Sequence, residues 1–283
     1  MNKLRFTDEL QITVILLVVC LASSLFAQGS LMVDPKRIVF DGAKRQDVVT
    51  LYNSSNDTAS YAISFMHYKM EQNGVFTDID SNTRDILFCD NIVRYFPREL
   101  TLAPHQAQAV RLQYIKTKDL APGEYRSHLF FRAIERVKPI EFVPNDTGKT
   151  MSLKLKPIYG LAIPVIVRNQ TAPAKIMLSN LTISSPDSAG TVMFTADLNR
   201  SGDESTFGEL ILTYSDAITK EKILADVRGI GVYVPLPMRR VGMQCKLPEI
   251  TSLSSGVLKL EYRTMTGKEK ETVLAISELP LQK

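Results

Sequence analysis

The side chains that most often carry catalysis are few in this 283-residue sequence, and they are not arranged for it. Its three histidines, His67, His105 and His128, have no metal-ligand spacing. Nucleophile-elbow, zinc-protease, paired-cysteine and phosphate-binding glycine motifs are missing as well. His128 falls within a predicted strand, where a packed or surface side chain is favoured over a catalytic base. The sequence therefore predicts that the protein is not an enzyme and uses no cofactor or metal ion.

Charge and cysteine content exclude two further classes of protein. The 34 basic and 30 acidic residues give a net charge of +4 without a long basic run, so a nucleic-acid partner is not expected. Cys89 and Cys245 are separated by most of the chain. We expect them in different domains, as small buried thiols rather than as a disulfide. The fold must then be held by ordinary hydrophobic cores.

The N-terminal residues have the pattern of an export signal. Lys3 and Arg5 precede an apolar run at residues 12–26, which ends at Ala27. This run of about 15 residues is shorter than the roughly 20 that a membrane-spanning helix needs. Basic, apolar and small residues in this order are typical of a signal peptide, here residues 1–27, and they predict export across a membrane.

One long strand is the element best suited to present a functional surface. From Met151 to Val167 every odd residue is apolar, counting Pro157, whereas the even residues begin polar. Because side chains alternate faces along a strand, this pattern predicts one continuous apolar face. Pro157 lacks a ladder donor, which indicates that one side of the strand is unpaired. Two interpretations stay open: an edge that is lent to another protein, or a core strand that bridges two domains.

The residue pattern in the rest of the chain indicates short strands separated by turns, and it shows no helical periodicity. This pattern predicts an all-β protein of two Ig-like β-sandwich domains, residues 28–168 and 169–283. The turn before Tyr125 resembles the tyrosine corner of such sandwiches. Residues 137–150 are predicted to form a long loop directly before the long strand. The other predicted strands cover residues 37–40, 47–52, 61–70, 92–102, 107–115, 126–135, 175–184, 191–198, 208–214, 222–234, 239–247, 256–262 and 269–276.

Several blocks of the first domain resemble the periplasmic chaperones of pilus assembly, the PapD-like family. Residues 35–42 and 48–53 are similar to its opening, an R-x-V-F-x-G block followed by a strand that ends in asparagine. Residues 96–104 and 108–112 resemble its P-x-x-x-x-L-x-P and Q-x-x-R stretch. Residues 126–131 are similar to its R-E-S-L-F-Y segment. The order and spacing match across most of the first domain, whereas the second domain matches only in being all-β and of similar size.

The resemblance implies two Ig-like domains in an L-shaped, boomerang arrangement and a periplasmic location. In that family the last strand of the first domain is lent to a pilus subunit that lacks a strand of its own. Burial of each large apolar side chain in the client's groove is worth roughly 1.5–3 kcal/mol. The family's mobile segment before that strand matches residues 137–150. The residues that would fill the groove are the odd apolar ones, Met151, Leu153, Leu155 and Tyr159.

The family also holds the client's C-terminal carboxylate between an arginine of the opening strand and a lysine near the end of the lent strand. Arg37 matches the arginine, and a guanidinium suits the role because it forms a forked, charge-assisted pair with a carboxylate. Pro164 stands where the lysine is expected. The resemblance therefore implies Arg37 as the carboxylate anchor without its usual partner. A salt bridge at the domain interface is the alternative role for Arg37.

The resemblance, together with the long apolar strand, therefore implies a periplasmic chaperone that caps pilus, fimbrial or related surface-fibre subunits by donor-strand complementation. An outer-membrane usher is the second partner that the family implies. Self-association would hide the apolar edge in the free protein. The alternative is a secreted structural or adhesive Ig-like module, whose long strand only spans the two domains. The two differ in whether residues 151–159 present a free edge.

Overall fold

The computed structural model describes residues 31–115, 119–134, 159–188, 190–217, 220–246, 255–264 and 272–281. Every regular element in these ranges is a β-strand, which confirms the all-β prediction. Helices that could cross a membrane are therefore absent from this part of the chain.

The strands are numbered along the chain. They are β1 Leu31–Asp34, β2 Ile38–Phe40, β3 Gln46–Asn53, β4 Ala59–Met66, β5 Tyr68–Met70, β6 Phe76–Asp78, β7 Val93–Phe96, β8 Glu99–Leu102, β9 Ala107–Tyr114, β10 Gly123–Ile134, β11 Gly160–Asn169, β12 Lys175–Ile183, β13 Thr191–Ser201, β14 Thr206–Ser215, β15 Lys222–Val232, β16 Met238–Lys246, β17 Gly256–Thr264 and β18 Val273–Leu281.

Four sheets form two β-sandwiches, as predicted. The first sandwich has strand orders β1-β3-β9-β7 and β2-β11-β10-β4-β8, and the second has β12-β13-β16 and β15-β14-β17-β18. Strands β5 and β6 form a separate hairpin, at the place where Gln72-Asn73-Gly74 supplies the turn. Each sandwich encloses its own hydrophobic cluster, so the two cores are built from different parts of the chain.

Strand β9 shows how the sequence pattern produces the first core. Its Val110, Leu112 and Tyr114 are buried, whereas the alternate residues Arg111 and Gln113 are exposed. A period of two therefore places the apolar set inside and the polar set in solvent. The same rule accounts for the largest fully buried side chains of the first core, which include Phe40, Leu51, Leu102, Leu129 and Phe131.

Two local predictions in the cores are confirmed. Cys89 is a buried free thiol of the first core, and Cys245 is buried in the second core. The hydroxyl of Tyr125 donates a hydrogen bond of 2.9 Å to the carbonyl of Ala121, four residues upstream. This bond is the tyrosine corner that the sequence indicated, and it fixes the turn before β10.

Several predicted strands are divided or displaced. The segment 61–70 consists of β4 and β5, which belong to different sheets. The segment 92–102 is divided at Pro97, because β7 pairs in one sheet of the first sandwich and β8 in the other. The last strand begins at Val273 and ends at Leu281, several residues later than predicted. Of the long strand, the structure describes Gly160–Asn169, whereas residues 151–158 and the predicted loop 137–150 lie outside the described ranges.

Candidate functional site

Strand β11 is paired unequally on its two sides. Strand β10 pairs with it antiparallel along the whole of Gly160–Asn169. Strand β2 pairs with it in parallel only at Val165–Val167. Among the described residues, no strand pairs with Gly160–Pro164 on the β2 side. The first half of β11 is thus the edge of its sheet, while Pro157, from which an unpaired side was predicted, lies outside the described residues.

The direction of the hydrogen bonds shows which groups this edge presents. The amide of Ala133 donates to the carbonyl of Tyr159 at 3.0 Å. Alternate residues of an antiparallel ladder direct both backbone groups to the partner, so the odd residues bond to β10 and the even residues point outward. Gly160 and Ala162 therefore present N–H and C=O groups to the open side. Pro164 is also an even residue, so the N–H that it lacks would not have bonded to β10. The open edge is therefore a template for a further strand.

Of the four residues predicted to fill a client's groove, the structure describes one. Tyr159 directly precedes β11 and is 56 % exposed. The other three, Met151, Leu153 and Leu155, lie outside the described residues. On β11 itself the odd residues Ile163, Val165 and Val167 are buried in the first core.

The even residues of β10 and β11 share the sheet face that points away from the first core. Glu124, Arg126 and His128 lie on this face, yet all three are buried. They are covered by the second sandwich and by the β5–β6 hairpin, as the contacts below show. By the rule that holds for β9, these alternating polar residues would lie in solvent, so alternation alone does not reveal this covered surface. The residues paired across this face are Glu124 with Arg168, Arg126 with Ile166, and His128 with Pro164.

Arg37 lies where the two sandwiches meet, a region that we call the junction. Ile38 pairs in parallel with Val165, so Arg37, one residue earlier, lies beside Pro164. Its guanidinium carbon is 4.6 Å from the ring centre of Phe207 in β14. Its Nε has no hydrogen-bond acceptor among the described residues, and burial lowers its pKa. The alternative role as a salt bridge is therefore wrong for the described part of the chain, since Arg37 contacts a ring across the interface and not a carboxylate.

Two further arginines in the junction were missed by the sequence analysis. Arg126 is 3 % exposed, and its guanidinium carbon is 4.6 Å from the ring centre of Tyr233. Its Nη2 donates to the carbonyl of Tyr68 at 3.2 Å, whereas its Nε and Nη1 have no acceptor among the described residues. Arg239 donates from Nη1 to the carbonyl of Gly231 at 2.8 Å, but its Nε also has no acceptor there. Burial lowers the pKa of both guanidinium groups.

A buried carboxylate joins the two sandwiches at the end of β11. Arg168 Nε lies 3.2 Å from Glu124 Oε2, and Arg168 Nη1 lies 3.0 Å from Glu204 Oε2. The amide of Ser205 donates to Glu124 Oε2 at 2.8 Å, and its hydroxyl donates to Oε1. The Glu124 side chain is 1 % exposed. Its charge is thus matched by Arg168 and by two hydrogen-bond donors of the second sandwich.

The β5–β6 hairpin also contacts the second sandwich. The amide of Arg240 in β16 donates to the carbonyl of Gln72 at 2.7 Å. The ring of Phe76 lies 5.8 Å from that of Tyr233, centre to centre. Met70 and Tyr233 are buried in a small apolar cluster with Ile166 of β11. The hairpin therefore forms one wall of the junction.

The three histidines do not form a metal site, although His67 lies close enough to His128 to affect its charge. Burial, Arg126 and His67 lower the pKa of His128 to about 3, so this side chain is neutral at physiological pH. His67 Nε2 lies 3.5 Å from Asp90 Oδ2, and His105 is exposed. The described residues contain no group of three or more His, Cys, Asp or Glu side chains that could hold a metal ion.

Comparison by sequence gives no relative: no family model matches the chain, and no curated protein is similar to it. Solved structures are similar over most of its length. The CupB2 chaperone of Pseudomonas aeruginosa is 11% identical, with 88% of this chain and 100% of that chain covered and a TM-score of 0.43. A chain of the Salmonella enterica complex of SafA pilin with the SafB chaperone is 12% identical, with 90% and 97% covered and a TM-score of 0.40.

The chaperone–tip adhesion subunit pre-assembly complex CsuC–CsuE, from the Csu pili of Acinetobacter baumannii, contains another similar chain. It is 10% identical, with 87% of this chain and 98% of that chain covered and a TM-score of 0.42. At these identities and TM-scores, the similarities do not by themselves assign a function to the protein.

Proposed function

We propose that the protein is a chaperone of the PapD-like family, which binds and caps a pilus or fimbrial subunit by lending it the edge of its long strand. The observation that carries this proposal is the unequal pairing of β11. Its Gly160–Pro164 half has a complete ladder with β10 on one side and no described strand on the other. Such an edge is an aggregation hazard unless another strand covers it.

A client strand would add to this edge through backbone hydrogen bonds and through alternate side chains. Gly160 and Ala162 supply outward N–H and C=O groups, as the register requires. Upstream, the odd residues Met151, Leu153, Leu155 and Tyr159 would enter the client's groove. Each buried apolar side chain contributes roughly 1.5–3 kcal/mol, so three or four offset a large part of the cost of association.

The first sandwich keeps its own core while it lends this edge. Ile163, Val165 and Val167 of β11 are buried in that core, and β10 bonds to the whole strand. Binding therefore uses groups that the free sandwich leaves unused. Arg37, beside Pro164, would hold the client's terminal carboxylate through charge-assisted hydrogen bonds.

Each part of the chain has its own role in this function. Residues 1–27 direct export to the periplasm, 28–168 form the subunit-binding domain, and 169–283 form the second Ig-like domain. An outer-membrane usher would receive the complex. No nucleotide or metal ion is required, because folding of the client is driven by the lent strand.

Co-purification tests this function. The full chain is expressed in the periplasm together with the exported proteins encoded beside its gene, and the retained proteins are identified. We expect a 1:1 complex with a small β-rich subunit that aggregates when it is expressed alone. A monomer that retains none of them, and whose residues 151–159 are protected from hydrogen exchange, would instead indicate a structural or adhesive module.

A further inference from the structure

The outer face of the sheet β1-β3-β9-β7 carries unpaired positive charge beside exposed apolar side chains. Alternation turns the even residues of β3 and β7 and the odd residues of β9 outward, and none of these side chains is acidic. We call the part of this face around Arg111 the outer groove. It has a volume of about 490 Å³, and Val48, Arg94 and Phe96 are among the residues that line it.

The strand register fixes the order of these side chains across the sheet. Arg111 of β9 pairs with Val48 of β3 on one side and with Phe96 of β7 on the other. Arg94 pairs with Gln113, so it lies diagonal to Arg111, with about 7–8 Å between their Cα atoms. Two guanidinium groups therefore share the outer groove with an apolar side chain on each flank of Arg111.

Neither arginine has a partner among the described residues. Arg94 and Arg111 are exposed, and their side chains form no ion pair or hydrogen bond within the part of the chain that the structure describes. Asp47 also lines the outer groove, but its carboxylate is bound by Lys44 at 2.5 Å. Phe96 is 75 % exposed, more than any other large hydrophobic residue in the described ranges. The outer groove thus offers two free cations and an aromatic ring to solvent.

The second sandwich shows that this arrangement is not general in the molecule. On the outer face of β14, β15 and β17, Arg228 lies 3.4 Å from Glu209, and Lys259 lies 3.2 Å from Glu261. The positive charges there are matched by carboxylates of the same face. The two arginines of the outer groove have no such match, so their field attracts an anion from outside the protein.

We propose that the outer groove docks on an anionic lipid bilayer, with lipid phosphates at Arg94 and Arg111 and with Phe96 inserted between the headgroups. A guanidinium pairs with phosphate through forked hydrogen bonds, and an aromatic side chain suits the boundary between headgroups and acyl chains. The backbone of β9 is paired on both sides, so this face offers side chains alone, which is what a bilayer surface needs. Two arginines and one ring give weak, reversible attachment. This inference does not depend on the proposed function.

Co-flotation with lipid vesicles tests the proposal. The exported protein is mixed with vesicles of phosphatidylglycerol and phosphatidylcholine in equal parts, or of phosphatidylcholine alone, and the bound fraction is measured. We expect binding to the anionic vesicles only, and less binding as sodium chloride is added, because salt screens exposed charges. Arg111→Gln should weaken binding roughly fivefold and Phe96→Ser roughly tenfold.

A matched control removes the same kinds of group from the second sandwich. Lys175→Gln with Met177→Ser takes one positive charge and one exposed apolar side chain from the outer face of β12, and it should bind like wild type. Arg111→Gln with Phe96→Ser changes the net charge equally and should lose binding. All variants share the same N-terminal residues, so their difference reports on the outer groove, and circular dichroism verifies that they fold. A wild-type protein that ignores anionic vesicles, or equal binding by the two double variants, would overturn the proposal.

A fluorescence measurement locates the contact. The sequence contains no tryptophan, so Phe96→Trp introduces a single fluorophore into the outer groove. We expect its emission to shift to shorter wavelength with the anionic vesicles and to stay unchanged with phosphatidylcholine, because the indole leaves water only at the anionic surface. Met177→Trp should not shift. If the protein binds while Phe96→Trp stays unchanged, another surface makes the contact. An equal shift with glycerol phosphate in place of vesicles would assign the groove to a free phosphate, and the bilayer would be the wrong partner.

Discussion

At the scale of single residues, burial on the covered face of β10 lowers the pKa of His128. It is 5 % exposed, and its ring packs edge-on against those of Tyr68 and Phe76. Burial and the neighbouring Arg126 hold its pKa at about 3, against 6.5 in an unfolded chain. Below pH 6.5 the unfolded state therefore binds a proton that the folded state does not.

Stability should accordingly fall with pH in a defined window. Between about pH 6.5 and pH 3 we expect His128 to lower the free energy of unfolding by roughly 1.4 kcal/mol per pH unit, and to have no effect above that window. Urea unfolding of wild type and His128→Leu at pH 7, 6 and 5 measures the difference. Gln113→Leu, at an exposed residue of β9, is the control, because it removes no titrating group and should leave the slope unchanged. Equal slopes for wild type and His128→Leu would contradict this assignment.

The odd residues before β11 are the proposed contacts with the client. Leu155→Glu places a charge on the apolar face and should reduce capture at least tenfold, because it removes an apolar contact worth roughly 1.5–3 kcal/mol. Ser152→Glu, an even residue of the same predicted strand, is the matched control and should still capture. Pull-down measures how much subunit each variant captures, and circular dichroism shows whether both variants fold. Capture by Leu155→Glu at the wild-type level would mean that this segment is not the lent strand.

At the scale of elements, the two sides of β11 can be told apart with proline. Ala162 directs its N–H to the open side, so Ala162→Pro should change the stability of the free protein by less than about 1 kcal/mol. Leu161 directs its N–H to β10, so Leu161→Pro removes a ladder hydrogen bond and leaves its acceptor unpaired, which should cost about 1–3 kcal/mol more than Ala162→Pro. Chemical unfolding of the two variants measures this contrast, and Ala162→Pro should also weaken capture. Equal losses of stability would show that the β2 side is not open.

The strands and their faces could largely be predicted from the sequence, because alternation follows directly from strand geometry. The faces of β9 and β11 were placed by this rule alone. The division at Pro97 was not predicted, since a change of sheet depends on which strands lie nearby and not on local pattern. The same limit applies to the junction. Arg126 belongs to the junction because its guanidinium lies over the ring of Tyr233, which is distant from it in the sequence.

At the scale of the whole molecule, two separate cores are connected through charged and aromatic contacts. Arg168 is the central ion-pair residue, because it contacts Glu124 of the first sandwich and Glu204 of the second. Removing one partner of a buried pair leaves the other charge unmatched, which typically costs about 3–5 kcal/mol. The stability of the junction should therefore depend on this one side chain.

Arg168→Met should lower the free energy of unfolding by about 3–5 kcal/mol. Lys44→Met, which removes an exposed ion pair with Asp47, should change it by no more than about 1 kcal/mol. Calorimetry of both variants gives the comparison and shows whether the two sandwiches still unfold together. A loss for Arg168→Met as small as that for Lys44→Met would mean that the ion pairs do not hold the junction.

Strand β11 has its open edge at one end and Arg168 at the other. The ladder with β10 and the ion pairs of Arg168 together hold the strand in register. In the proposed function, a client strand that adds at Gly160 would therefore take its alignment in part from the second sandwich, even where it does not touch it. One residue inserted between 160 and 168 would exchange the inner and outer faces of everything upstream. The number of residues in this interval therefore decides which face of the upstream segment points outward.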